Sequence, residues 1–451
     1  NNVSTIAAGT SSARASSISY RDSNAVTIGS VNPTGIWSSG DVLIETASGD
    51  LTFSESINTT STSSSAVTLN AGVSTAAGTS TGGNIIVSGT PTITMGSGGI
   101  ARLFSGSVDG STGLTTFIGS GSGQFRYNSD ESTTNYALSL SSDKQYAIYR
   151  ERPTLTVTAS AQSLPYGTAI SQNFTVSGKN GDTSAQAFSA NPTVGVSTSF
   201  KYSVGSHTLT PSGGTDQLGY TVSYATGTLT VAAKTVTIGG SFTANDKVYD
   251  GTTVATMLVD SLSLVGVETG DSVTLTPVLA FSTKDAAGSK SVSLTASTSI
   301  GGTNASSYSL SLTGAPTATA AVTTKALSVS GLSSSDKVYD GLTTASVSGS
   351  AVLQAAITAG SGTSSDGKPY TVDSVSLTGT PAAAFNSKDV ASATTVSFTG
   401  LSLTGTGNGN YTLSAHATVS KVITAKALSV SGLSSSDKVY DGLTTASVSG
   451  S

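Results

Sequence analysis

Asp-Lys-Val-Tyr-Asp-Gly stands at Asp246–Gly251, returns at Asp336–Gly341 and returns again at Asp437–Gly442. The last two copies lie inside a stretch, Lys325–Ser350, that recurs letter for letter at Lys426–Ser451. Repetition at domain-sized spacing marks an array rather than a single catalytic body. Asp and Gly supply turn chemistry, because Gly takes positive φ freely and Asp can bond its own backbone. Just upstream, apolar residues alternate with Ser, as in Leu327-Ser328-Val329, which is the period of a half-buried strand. The phrase therefore reads as a strand running into a tight turn. Its tyrosine should face the core or the junction with the next domain, with its hydroxyl hydrogen-bonded. Tyr249, Asp250 and Gly251, with Tyr339, Asp340 and Gly341, and Tyr440, Asp441 and Gly442, are accordingly predicted to be structural residues of the repeat.

Outside the phrase the same alternation continues, in Val292-Ser293-Leu294 and Leu229-Thr230-Val231. Thr, Val and Tyr favour strands, and no helix-period segment of useful length occurs. Charged residues are 10% of the 451, against roughly 25% in an average soluble protein. The net charge of −5 is spread thinly, which argues against nucleic-acid binding, since that needs a basic footprint. Disorder usually pairs low hydrophobicity with high net charge or clustered Pro, whereas here the net charge is small and apolar residues alternate with Ser and Thr in short runs. There is no Cys, so disulfides and thiolate metal sites are excluded. No apolar run is long enough for a transmembrane helix. Asn1 is not an initiator Met, and a third unit opens shortly before Ser451. Both lead us to expect a window on a longer protein.

Residues 1–152 lack the phrase. Short apolar runs at Val42, Val67, Ile85 and Leu103 start roughly 18–25 residues apart, about one coil of a parallel β-helix. An antiparallel sandwich is the alternative. The charge cluster Tyr149-Arg150-Glu151-Arg152-Pro153 reads as a boundary. Residues 153–234 open with Leu155-Thr156-Val157 and Pro165-Tyr166-Gly167 and close with Gly227-Thr228-Leu229-Thr230-Val231. Residues 235–325 and 326–425 each carry the phrase, then Phe281-Ser282-Thr283-Lys284-Asp285 or Phe385-Asn386-Ser387-Lys388-Asp389, then Tyr308-Ser309-Leu310 or Tyr411-Thr412-Leu413. The second of these modules is longer, and the Gly/Ser-rich loop around Gly360–Lys368 can absorb the difference. Residues 426–451 begin a third copy, too short to bury a core alone.

The Tyr166-Gly167 turn and the closing Gly-Thr-Leu-Thr-Val strand resemble the bacterial MBG domain. The two phrase-bearing modules resemble the YDG domain of bacterial adhesins. Gly82-Gly83-Asn84-Ile85-Ile86-Val87 and Gly98–Ser107 resemble the β-helix of filamentous-haemagglutinin-like exoproteins of two-partner secretion. These resemblances imply an all-β chain: the end of a right-handed parallel β-helix, then tandem Ig-like β-sandwich domains. They imply a secreted or cell-surface adhesin or biofilm-matrix fibre. Its partners would be neighbouring copies of itself or other surface and matrix components, polysaccharide among them. A self-assembling filament and a polysaccharide-active β-helix on a stalk are the rival readings.

Candidate sites are weak throughout. Asp246 with Asp250, or Asp336 with Asp340, offers few of the about six to eight oxygens that Ca²⁺ takes. Lys247, Lys337, Lys438, Lys284 and Lys388 could in principle form isopeptide bonds with a nearby Asn or Asp. The plainer expectation is a stem laid on the surface with its head in water. His207 and His416 have no local triad or metal-ligand spacing. Gly362 to Lys368 has the spacing of a phosphate loop, but Pro369 stands where Ser or Thr belongs. Asp41, Glu45, Asp50 and Glu55 are the closest-spaced carboxylates of the first region and read as solvated corners. Trp37, Tyr20, Phe104 and Phe117 could serve a glycan but read as core or cap residues. Phe125, Tyr127 and Tyr136 lie where the end of the coil needs covering. No catalytic, cofactor-binding or metal-binding residue is assigned, and no cofactor is expected.

Overall fold

The period-two alternation becomes strand almost everywhere. A computed structural model describes residues 2–196 and 201–450; Asn1 and Ser451, the outer ends of the first and last predicted segments, lie outside the described residues. Among the described residues the α-helices are two short ones, Leu114–Ile118 and Ser184–Ala187. No helix there is long and apolar enough to cross a membrane. The chain divides into two compact units, Asn1–Lys234 and Thr235–Ser451.

The first unit begins as a winding through three parallel sheets, visited in the same order each time. The strands Ile18–Asp22, Val42–Thr46, Val67–Ala71 and Ile100–Ser105 stack in one sheet, Val26–Ile28, Leu51–Phe53 and Ile85–Val87 in the second, Ile36–Ser38, Ile57–Thr59 and Ile93–Thr94 in the third. Each circuit of the three sheets is one coil of this winding. Register puts like on like. Ile44 pairs with Leu69 and Leu69 with Leu103, while Ile28 pairs with Phe53 and Ile36 with Ile57. These inward ladders are buried. Parallel stacking lets the backbone groups of these strands bond to the coil above or below. One detail differs from the sequence spacing. Ile85 stacks on Leu51 in the second sheet, so it does not begin a coil, and Val67 is followed in its own sheet by Ala101.

The charge cluster begins at the end of a strand of the first sheet. Lys144–Tyr149 is a further parallel strand, paired on one side with Ile100–Ser105 and on the other with Phe125–Arg126. Arg150, which follows it, is fully buried. Its guanidinium donates to the carbonyls of Ala71, Gly83 (2.9 Å) and Thr81 (3.3 Å) and to Asn70 Oδ1 (3.4 Å). Those residues flank the glycine-rich excursion between two coils. Arg126, equally buried, lies between the rings of Tyr136 and Tyr146 and donates to the carbonyls of Gly123, Phe125 and Leu138. Arginine's rigid fork of five donors suits this task of satisfying several carbonyls at once.

Apart from the two-stranded pair of Phe188–Ala190 with Thr215–Asp216, residues 154–232 add two sheets. One holds Phe174–Ser177, Thr154–Ala159 and Thr221–Ala225; the other holds Gln162–Pro165, Gly227–Ala232, Gly205–Ser212 and Thr193–Val196. Leu155, Val157, Leu209, Leu229 and Val231 are among their buried residues.

In the second unit both modules repeat one topology. In the first, Lys234–Ala244 pairs antiparallel with Met257–Val265. A five-stranded sheet faces it, in the order Lys247–Val248, Thr317–Thr323, Ala287–Leu294, Leu279–Phe281 and Val254–Ala255. Ile238 and Phe242 from one layer meet Phe281, Val292 and Val322 from the other in one core. In the second module, Val329–Ser333 pairs with Ser348–Leu353, and Lys337–Val338 runs parallel to Ile423–Thr424. Leu332, Phe385, Val396, Phe398 and Ile423 form its core. Residues 426–450 make only a small hairpin, Ser434–Ser435 with Val448–Ser449, and are exposed throughout.

Candidate functional site: tyrosine–aspartate clasps between modules

Each phrase folds into the same lysine-stapled turn. Lys247 Nζ lies 2.8 Å from Asp250 Oδ1 and donates to the carbonyls of Thr252 (2.8 Å) and Val254 (2.9 Å). Lys337 does the same with Asp340, Leu342 and Thr344, and Lys438 with Asp441 and Leu443. The aspartate also accepts the N–H two residues on, from Thr252, Leu342 or Leu443. These lysines are therefore not solvated stems. They close the turn from beneath, the carboxylate two residues beyond the valine being their counter-ion. Burial opposes the charge on Asp250, yet Lys247 and the Thr252 N–H outweigh it and hold its pKa below the ordinary value. On exposed Asp340 and Asp441 the lysine bond is the main cause of the same lowering.

The glycine of the phrase has positive φ, +77° at Gly251 and +82° at Gly341. A side chain at Gly341 would meet open space, whereas a Cβ at Gly251 would come within 2.8 Å of the Ala359 methyl. Gly341→Ala should thus cost about 1–2 kcal/mol from backbone strain alone, and Gly251→Ala more. Thermal melts of the two variants compare them directly.

The tyrosines separate the copies. Tyr249 is 0% exposed and Tyr440 is 94% exposed, and Tyr339 lies half-buried at the edge of its module's core. Tyr249 is buried because the next module covers it. Its hydroxyl donates to Asp373 Oδ2 (2.6 Å), which also accepts from the Tyr411 hydroxyl (2.8 Å). The other carboxylate oxygen takes a bond from Lys284 Nζ (2.9 Å), and Lys284 also donates to the Tyr249 oxygen (2.9 Å). Beside it, the Ala286 N–H donates to Asn410 Oδ1 (2.8 Å), and Asn410 Nδ2 donates to Asp285 (3.1 Å). The Gly360 N–H donates to the Asp250 carbonyl (2.8 Å). The Tyr249 and Tyr411 rings meet edge to face at 5.3 Å. The lengthened loop of the second module thus supplies much of the contact, through Ala359, Gly360, Tyr370 and Asp373. At its far side Asp366 lies 2.8 Å from the ammonium of Lys325, which is fully buried over the Tyr370 ring. Burial opposes that carboxylate's charge, but Lys325 and two backbone N–H groups bring its pKa down to about 2.

Burial, then the bond to Asp373, pushes the Tyr249 phenol up to about 12. A raised folded-state pKa means that the stabilisation is whole below the ordinary value of 10 and is lost as pH rises through 12. Absorbance at 295 nm should show one phenol fewer ionising near pH 12 in Tyr249→Phe than in the parent chain, with the late step of unfolding reduced.

The first unit holds a second clasp of the same composition. Tyr127, at the end of the coil, donates to Asp182 Oδ2 (2.7 Å), and Tyr220 donates to the same oxygen (2.8 Å). Asn180 Nδ2 donates to the Tyr127 hydroxyl (3.0 Å), and the two rings lie 4.3 Å apart. Asp182 Oδ1 is buried without a hydrogen-bond partner, and burial raises the pKa of this carboxylate. A backbone bond from Tyr127 N–H to the Leu218 carbonyl (2.8 Å) completes the seam. The first phrase-bearing module carries the matching aspartate–tyrosine pair, Tyr308 donating to Asp271 Oδ2 at 2.5 Å.

The remaining candidates are engaged singly. Glu45 is held by Arg21 at 2.7 Å, Asp41 accepts from the Ser61 and Ser63 hydroxyls, and Asp50 accepts the Asn84 N–H. Arg14 stacks over Trp37. His207 bonds the Ser203 carbonyl, and His416 accepts the Leu332 N–H against the Phe398 ring. Phe125 and Tyr127 are fully buried at the end of the coil.

Comparison with known families agrees with this modular picture. Residues 155–230 match the MBG domain of the YGX type, and residues 231–319 and 323–419 each match the YDG domain. Both are typical of large, repeat-containing, adhesin-like proteins and are generally structural rather than catalytic. A comparison with curated proteins finds no match.

Proposed function

We propose that this tandem of MBG-type and YDG-type modules, led by a parallel coil, is the repetitive stalk and scaffold of a large bacterial adhesin or biofilm-matrix fibre outside the cell. The observation that carries this reading is the clasp. The same three groups, tyrosine, aspartate and tyrosine, close the seam between successive modules in both units. A buried, hydrogen-bonded carboxylate at each of these two seams fixes one module on the next within its unit, and load can pass across such a seam. Each module contacts mainly its neighbours, so their number can change without loss of folding. Under this reading the coil derives from a two-partner secretion exoprotein. The partners are then neighbouring copies or other surface and matrix components, including polysaccharide.

The test places the chain between a surface anchor and an unrelated binding head on a non-adherent bacterium. Adhesion under flow should need the head and should improve with the segment present. Equal adhesion by the segment without any head would make it the adhesive body instead, and the stalk reading would fail.

A further inference from the structure

The second YDG-type module presents the same half-clasp that the first one uses, and among the described residues only the start of the 426–450 segment lies beside it. Tyr339 corresponds to Tyr249, Lys388 to Lys284, Asp389 to Asp285 and Val390 to Ala286. The local wiring is the same, since Lys388 Nζ lies 3.0 Å from Asp389 as Lys284 lies 3.2 Å from Asp285. What differs is the cover. The side chains of Lys388 and Asp389 are 54% and 62% exposed, and Tyr339, Val390 and Leu428 line an open hollow.

A second observation points to what fits there. The stretches starting at Lys325 and Lys426 are identical, yet Lys325 and Leu327 are fully buried while Leu428 is 88% and Val430 is 78% exposed. In the buried copy the cover comes from the body of its own module. Lys325–Leu327 runs parallel to Tyr411–Leu413, Asp366 neutralises Lys325, and the same body delivers Asp373 and Asn410 to the preceding module.

We infer that the Tyr339–Lys388–Asp389 face is a docking socket for another module of the same type, and that its occupant is a completed copy of the repeat that residues 426–450 begin. The incoming module seats an aspartate between the Tyr339 hydroxyl and the Lys388 ammonium, and an asparagine amide across Asp389 and the Val390 N–H. The charge match is the one already realised at the first seam, an ammonium with one carboxylate of its own receiving a second. The inference rests on the tandem reading above and adds the partner and the contacts.

The experiment appends residues 351–425 after Ser451 of the full chain, which completes the third copy. Hydrogen exchange then reads the Val390 amide, whose counterpart at Ala286 is bonded to Asn410. It should slow by about tenfold or more in the extended chain. Lys388→Ala, and alanine in place of the added aspartate that corresponds to Asp373, should each reverse most of that slowing. Tyr440→Phe should leave it unchanged. An unchanged Val390 rate beside a folded added module overturns the inference. So does an added module that fails to fold, because its sequence is that of a module that folds here. Loosely strung modules would pass the adhesion test and fail this one, so the two readings fail separately.

Discussion

Asp373→Ala should uncouple the two YDG-type modules and lower the stability of the second unit by about 2–4 kcal/mol. Asp373 is the convergence point of the seam, with a side chain only 1% exposed and with two phenols and one ammonium donating to it. Its removal leaves two buried hydroxyls without their acceptor. The ionic share is smaller than for a fully buried pair, because the Lys284 side chain is 32% exposed and water screens it. Differential scanning calorimetry of the whole chain should show the melting of the second unit move down and broaden, as module 1 and module 2 cease to melt together. Asp373→Asn keeps acceptor capacity for the phenols and should lose about half as much. A double-mutant cycle with Tyr249→Phe should return a coupling of about 1 kcal/mol. Additive effects of the two changes would show that the seam is contact without cooperation.

Arg150→Met should be at least as costly in the first unit, at about 3–5 kcal/mol. The methionine fills much of the volume but brings no donors. Carbonyls of Ala71, Gly83 and Thr81 and the Asn70 amide lose their shared partner in the interior, and an unsatisfied buried carbonyl costs more than the bond it loses. The urea midpoint of the first unit should fall. Exchange should accelerate at the backbone between Gly72 and Gly83. Arg150→Lys restores the charge without the fork and should recover only part of the loss. A midpoint within experimental error of the parent would mean that water can replace the guanidinium at this corner.

The two variants also divide what is local in this fold from what is not. The strands were legible because apolar–polar alternation is a nearest-neighbour property, and the turn was legible because Asp-Gly carries its own geometry. The staple from Lys247 to Asp250 spans only three residues and could have been found as Lys-x-x-Asp ahead of a glycine. The stem-on-the-surface expectation failed because it treated the lysine alone. The burial of Arg150 was hidden for a different reason. A run of charges beside Pro ordinarily marks a solvated boundary, and nothing adjacent in sequence indicates that the carbonyls it serves lie in earlier coils.

The clasp was legible only in outline. That Tyr249 should meet a core or a junction follows from the amphipathic character of tyrosine beside a turn. That its partner is Asp373, 124 residues away, does not, because an aspartate in a Ser/Thr-rich loop looks like any other loop aspartate. The clearest case is the repeated stretch itself. Sequence alone determined that Asp336–Gly341 and Asp437–Gly442 would make the same stapled turn, since this depends on neighbours within a few residues. Tertiary structure alone decided that Leu327 is buried and Leu428 exposed, because burial depends on what packs against a segment, and identical sequences with different surroundings meet different amounts of water.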